Sequence, residues 1–419
     1  MFKAGPVAPA VDQAVAKLLA AAPVKRVMED LKADHERSLV DLKLLTEIPA
    51  PPFKEKARAE AFLARMKALG LPDATIDAEG NVIGIRKGTG KGPKLLISAH
   101  LDTVFPEGTD VGIKVRDGKW YAPGISDDTR GLAVLLSWLK VLNDNQLATV
   151  ADLVFVGNVG EEELGDLRGI KALFRDHPDI DGMVGLEPGL GNTITTQGVG
   201  SHRYEVSFQG PGGHSFVAFG LVPSAIHAMG RAIARIGDIR PSANPKTTFT
   251  VGTVGGGTSV NTIAPDARMA IDIRSNGMSQ LLETEKQIMA AIAQGVADEN
   301  KRWDTDKISF STKLIGDRPA GMTAPDALIV QVAVRATTGL GKSTPSLISN
   351  STDANMAMAL GIPAVIMGNG GEAGGWHTRN EWFDPRNAWE GAQISLAAVL
   401  ALAGVKDVSE PLLEKRPRK

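Results

Sequence analysis

The sequence predicts an α/β protein in which a mixed, largely parallel sheet is covered by helices and interrupted by a smaller α+β domain. Three observations lead there. Apolar runs of strand length alternate with helical patterns, as parallel strands joined by helical crossovers require. Near Gly198 the texture changes to half-exposed strands, and it changes back by about Ala324. At 419 residues the chain is too long for one compact core. The expected division is a discontinuous main domain, residues 1–197 and 316–419, with an inserted domain over residues 198–315.

In order, residues from about Asp12 to Ile48 carry apolar positions at three- and four-residue spacing and predict helix, stopped by Pro49-Ala-Pro-Pro52. A second helix runs from about Lys54 to Leu69 and ends at Gly70. Ala74 to Arg86 predicts a hairpin around Gly80-Asn81, and Lys94 to Ala99 a buried strand. Val111 to Tyr121 predicts a hairpin turning at Asp117-Gly118. Helix Gly131–Leu142, strand Asp152–Val159, helix Arg168–Phe174 and strand Gly182–Leu186 follow. In the inserted region the expected order is strand Arg203–Gln209, helix Pro223–Ile236, strands Thr248–Val254 and Ala267–Arg274, helix Ser279–Ala297 and strand Lys307–Leu314. That β-α-β-β-α-β order is ferredoxin-like, an open sandwich with two helices on one face. Helix Asp326–Thr337, strand Ala364–Met367 and helix Arg386–Ala403 complete the main domain.

Composition narrows the chemistry. A net charge of −2 gives no global field for nucleic acid or an anionic membrane. No apolar run reaches membrane-spanning length, and the basic run Lys415–Lys419 is expected to be a solvated tail. The stretch from Val11 to Val24 is interrupted by charges and reads as an amphipathic helix. A cytoplasmic location is expected, or a periplasmic or secreted one if a leader has been removed. There is no cysteine, so a metal would have to be held by the seven histidines and 48 carboxylates.

Five clusters put such residues at strand ends among glycines, where α/β proteins build sites. After Lys94–Ala99 come His100 and Asp102, two apart and so on one side of a strand. An imidazole that ligates a metal wants a carboxylate or carbonyl on its other nitrogen, and Asp102 is placed to supply it. Asp127-Asp128 stand at the mouth of a helix, where one carboxylate can bridge two metals or the pair can simply cap the helix. Glu161-Glu162-Glu163 follow a strand directly. Their mutual repulsion is tolerable if a metal neutralises one and a proton occupies another. Glu187 closes the strand Gly182–Leu186, and the glycine-rich loop from Gly370 delivers His377. Two histidines with three carboxylates match the nitrogen and oxygen inventory of a two-metal hydrolytic site.

The motifs SAHLDTV, GISDDTRG, GEEELG, GLEPG, GPGGHSF, GGGTSVNTIAPDARMAIDIR and HTRNEW occur in that order. In this the chain, from about Asp41 to Ala403, resembles the di-metal exopeptidases and amidohydrolases that include peptidase T, glutamate carboxypeptidase, succinyl-diaminopimelate desuccinylase and aminoacylase. The wording Ser351-Thr-Asp-Ala-Asn355 is closest to the peptidase-T-like branch. The resemblance implies that His100, Asp127 and Glu187 hold one divalent ion, and Asp127, Glu162 and His377 a second. It implies that Asp102 orients His100 and that Glu161 is the general base. Relatives reading Glu-Glu-x-Gly would align Glu162 and Glu163 with Gly165; reading the run as Gly-Glu-Glu-x-Leu-Gly, which also matches Gly160 and Leu164-Gly165, aligns Glu161 and Glu162 and makes Glu163 the variable position. It further implies that His214 polarises the scissile carbonyl, often in the neighbouring subunit's site, and that Asn261 and Arg274 bind the substrate's carbonyl or carboxylate. A surface ion pair with Asp272 is the other reading of Arg274. Arg130 stands where relatives usually carry lysine, with little effect expected on the metals. His35, His177 and His227 read as surface or helix-face residues, and His202 receives no role. The implied ions are two zinc, manganese or cobalt ions. The implied substrate is a small peptide, or an N-acyl amino acid in an amidase with the same site. The inserted domain would act as lid and dimerisation domain of a homodimer. An inactive binding protein of the same fold is the reading from another class.

Overall fold

The computed structural model describes residues 2–417. Met1, Arg418 and Lys419, the last two from the basic C-terminal run, lie outside the described residues. By its internal contacts the chain divides into two units, one formed by residues up to Gly198 and from Met322 onward, the other by Val199–Gly321. The last strand of the second unit runs on to Arg318, which carries the unit past the expected boundary at residue 315.

The first unit is built on a sheet whose strands lie in the order Phe2–Lys3, Ser346–Asn350, Thr193–Gly198, Ala364–Gly368, Gly182–Glu187, Lys94–His100, Asp152–Asn158, Val82–Arg86, Thr75–Ile76. Four adjacent strands at its centre, 364–368, 182–187, 94–100 and 152–158, are mutually parallel. Their carboxyl ends therefore emerge at one edge. In register, His100 faces Asn158 and Glu187 faces Gly368. Both faces are covered: Leu95, Ile97, Phe155 and Val184 join one apolar cluster, while Leu96, Val154, Val156 and Met183 join another. That two-sided burial is why these strands read as unbroken apolar runs. Helix Thr129–Asp144 is buried along almost its whole length, as an apolar helix without a polar face must be. A separate small antiparallel sheet joins Glu372–Gly374, Trp382–Asp384, Lys119–Tyr121 and Lys114–Arg116.

The second unit holds an antiparallel sheet ordered Thr247–Gly256, Asp266–Ser275, Gly200–Gln209, Ser309–Arg318. Helices Ala225–Gly237 and Met278–Arg302 pack Ala228, Ala232, Ile288 and Ile292 against Val206, Met269 and Ile271.

Several expectations are corrected. The single helix expected over residues 12–48 is three, Pro9–Ala20, Ala22–Ala33 and His35–Thr46. Pro23 has no N–H to continue the first helix and its ring would meet the carbonyl of Leu19, so the chain turns at Ala21. His35 is buried rather than superficial, edge-on to Trp389 with ring centroids 5.0 Å apart. Burial and the charge of Arg130 lower its pKa. The C-terminal tail is not wholly solvated: Arg416 donates its N–H to Asp181 at 2.8 Å and its guanidinium to the carbonyl of Ile180 at 2.9 Å. Among the described residues no helix is long and apolar enough to cross a membrane.

Phe62 is fully buried, and its ring fills the space that a side chain at Gly157 would need. Phe62→Ala should therefore destabilise the first unit by about 3–5 kcal/mol, read as a lower urea midpoint at unchanged slope. A loss below about 1 kcal/mol would contradict this packing.

Candidate metal centre

The carboxyl ends of the parallel strands carry the charged groups. His100 is the last residue of its strand and is almost fully buried. Its Nδ1 lies 2.9 Å from the backbone carbonyl of Asp102. A carbonyl only accepts, so Nδ1 carries the proton and Nε2 is the nitrogen offered to the site. Nε2 lies 3.0 Å from Asp127 Oδ1. The contact from Asp102 to His100 thus comes from its main chain. Its carboxylate, 3.7 Å from the ring, is engaged elsewhere, accepting from the N–H groups of Glu161 at 3.0 Å and Glu162 at 2.8 Å.

Asp127 is the hub. Its other oxygen, Oδ2, lies 3.4 Å from Nε2 of His377, and the same nitrogen lies 3.2 Å from Oε1 of Glu162. Ligand atoms of His100, Asp127 and Glu162 all lie within 4.8 Å of one another. Glu187, at the end of its strand, is acted on by the charges of Asp127, His100, Asp128 and Glu161. The structure therefore brings together His100, Asp102, Asp127, Glu161, Glu162, Glu187 and His377. Glu161 and Glu162 are buried and Glu163 is exposed. His377 sits at φ 60°, a left-handed conformation in which histidine is enriched among non-glycine residues.

The charges respond to one another. Burial works against a protonated His100, but its hydrogen bond to Asp127 and the charges of Glu187, Asp127 and Asp102 raise its pKa well above the imidazole range. Hydrogen bonds to Asp127 and Glu162 push His377 up to about 10. Burial opposes ionisation of Asp127, yet hydrogen bonds from both histidines hold it well below the usual carboxylate range. Burial and neighbouring carboxylates raise Asp128 and Glu187. Asp128 takes the capping role: it closes the start of helix Thr129–Asp144 by accepting from Gly131 N–H at 3.2 Å, and it accepts from Asn369 at 2.9 Å. Arg130 turns away from the cluster toward Ser38 and the carbonyl of Ala388, 3.4 Å from each, with the Phe383 ring beside it.

One residue was not singled out from the sequence. Glu381 is fully buried, and its carboxylate accepts from N–H groups of Gly124, Ser126 and Asp127 and from the Ser126 hydroxyl. Burial and the charge of Asp127 push it up to about 7. Only its place four residues after His377 hinted at it.

The second unit holds the remaining candidates. His214 is exposed, and its Nδ1 accepts from the N–H groups of Phe216 at 3.2 Å and Val217 at 3.4 Å. With Nδ1 accepting, Nε2 carries a ring proton and can donate. Asn261 is beside it, its main-chain carbonyl accepting from Ser215 N–H at 3.0 Å. Arg274 is not. It lies near the far end of strand Asp266–Ser275, eight residues and about 27 Å along from Asp266, paired to Asp272 at 2.7 Å. His202 is held between Glu285 and Asp317.

Comparison with known proteins follows the same lines. Residues 96–401 match the profile of peptidase family M20/M25/M40. The uncharacterized protein YqjE of Bacillus subtilis (strain 168) is 28% identical over 345 residues, 78% of this chain and 86% of that protein. The crystal structure of aminopeptidase PepT from Bacillus cereus superposes with a TM-score of 0.72 at 23% identity, covering 87% of this chain and 98% of that one. That of the Bacillus subtilis YXEP protein, a dinuclear metal binding peptidase from the M20 family, gives 0.63 at 18% identity, covering 88% and 99%.

The pKa of His377 sets a pH dependence. In chelator-treated protein its folded value, about 10, lies above the unfolded 6.5. Its stabilising contribution is therefore fully present below pH 6.5 and lost as pH rises toward 10. Thermal midpoints of chelator-treated protein should fall over that window, and fall less in His377→Gln. Equal slopes for the two proteins would contradict the pairing with Asp127 and Glu162.

Proposed function

Because this chain belongs to peptidase family M20/M25/M40 and is a metallo-hydrolase of amide bonds, we propose that it cleaves a peptide bond in a small peptide with a two-metal site and a glutamate base. The observation that carries the proposal is the position of Asp127, whose two oxygens face His100 on one side and His377 on the other. That is the disposition a carboxylate needs to bridge two ions. The donor set fits: imidazole nitrogens and carboxylate oxygens suit zinc, and manganese or cobalt can take the same ligands.

In this reading His100, Asp127 and Glu187 hold one ion, and Asp127, Glu162 and His377 the other. Two divalent ions held there would acidify a water and polarise the scissile carbonyl. Glu161 takes the proton from that water and later delivers it to the leaving nitrogen. Asp102 fixes Glu161 through the backbone, so the base and the ligand Glu162 are set by one carboxylate. His214, through Nε2–H, donates to the carbonyl oxygen as charge develops on it, and Asn261 and Arg274 bind the substrate's polar ends. A homodimer is part of this reading.

Chelation should abolish turnover, and zinc, manganese or cobalt should restore it; full activity in metal-free enzyme would sink the proposal. Glu161→Gln should lower kcat by about 10²–10⁴-fold, with Glu163→Gln close to the parent. The reverse pattern would shift the pair by one residue, to Glu162 as base and Glu163 as ligand. A panel of tripeptides, dipeptides and N-acyl amino acids, run with each metal, separates peptidase from amidase.

A further inference from the structure

We propose that Glu381 is a positioning residue that fixes the backbone bearing Asp127 and ties it to the loop bearing His377. The inference rests on the reading of Asp127 as the bridging ligand. Oε1 of Glu381 accepts from Ser126 N–H and the Ser126 hydroxyl, both at 2.8 Å, and from Asp127 N–H at 3.0 Å. Oε2 accepts from Gly124 N–H at 3.0 Å. The main-chain carbonyl of Glu381 accepts from Ala122 N–H at 3.1 Å. The loop from Ala122 to Asp127 is thus gripped along its length by one residue.

Every group that reaches the carboxylate is a donor, so the position calls for acceptors alone. Glutamine has the same shape but would turn an NH₂ group toward an N–H, leaving a buried donor without its partner. Glu381 is itself anchored to the His377 loop. Its N–H donates to the carbonyl of Thr378 at 3.1 Å, and Thr378 folds back on the carbonyl of Gly375 through its N–H at 3.1 Å and its hydroxyl at 2.7 Å. His377 lies inside that turn, with Nε2 3.4 Å from Asp127 Oδ2. A displacement of Glu381 therefore moves the backbone of Asp127 and the loop of His377 relative to each other. Groups that orient metal ligands in this way alter affinity by about 10- to 100-fold when changed.

The test is metal affinity of the full chain, measured with zinc and manganese by chelator competition, for the parent, Glu381→Gln and Ser126→Ala. The parent should bind two ions. Glu381→Gln should bind them about 10- to 100-fold more weakly. Ser126→Ala, which removes only the hydroxyl donor, should shift affinity in the same direction by less. A purely structural role would lower the thermal midpoint of chelator-treated Glu381→Gln while leaving the affinity of the folded protein unchanged. Folded Glu381→Gln that binds both ions as tightly as the parent overturns the inference. Should that variant fail to fold, Ser126→Ala decides: weakened binding supports the inference and unchanged binding overturns it. A parent chain that binds no ion overturns the two-metal reading itself, and this inference with it.

Discussion

The carboxylate of Asp127 faces His100 with one oxygen and His377 with the other, and the arrangement of the strand ends follows from holding it there. A buried ionised carboxylate is costly unless positive charge or donors surround it. Asp127 has both, in a setting crowded with Glu161, Glu162 and Glu187. The parallel sheet makes the crowding possible, because strands 94–100, 152–158, 182–187 and 364–368 all end at one edge. Residues far apart in sequence meet there without a long excursion of the chain. His377 comes from another direction, out of the loop between two strands of the small antiparallel sheet. The centre therefore depends on two sheets keeping their places, with Glu381 as the hydrogen-bonded link between them.

Much of this was legible in the sequence, for physical reasons that differ from element to element. The central strands are buried on both faces, so they announce themselves as apolar runs, and His100, Glu162 and Glu187 stand out because each closes such a run on a charge. Asp127 and His377 stand out because glycines surround them. Strands Thr193–Gly198 and Ser346–Asn350 were not legible. They carry threonine, serine, glutamine and asparagine, and Thr195 and Thr196 are buried by tertiary pairing that no local pattern encodes. Helix Ala354–Ala359 is too short to show a period. Glu381 was hidden for a similar reason. It follows Arg379 and Asn380 in a stretch that reads as a polar surface turn, and its burial comes from partners more than 250 positions away.

In the inserted unit, closeness in sequence and closeness in space diverge. Asn261 and Arg274 belong to one motif, yet eight residues of extended strand, 266–273, separate the loop of one from the position of the other. Proximity in sequence along an extended strand is distance in space, whereas Ser215 and Asn261, far apart in sequence, are hydrogen-bonded neighbours.

Asp102 leaves a last consequence. The ladder between strands 94–100 and 152–158 closes with Leu101 N–H on the carbonyl of Asn158 at 2.7 Å. Beyond that point the backbones part, and the Asp102 carboxylate takes over as a stand-in strand, receiving the consecutive N–H groups of Glu161 and Glu162. A true neighbouring strand could not do this, since successive N–H groups on a strand point to opposite sides. The side chain thus lets the sheet end abruptly, in a bend rather than a fraying edge. It transfers the register of the two strands, residue for residue, to the glutamates beyond them.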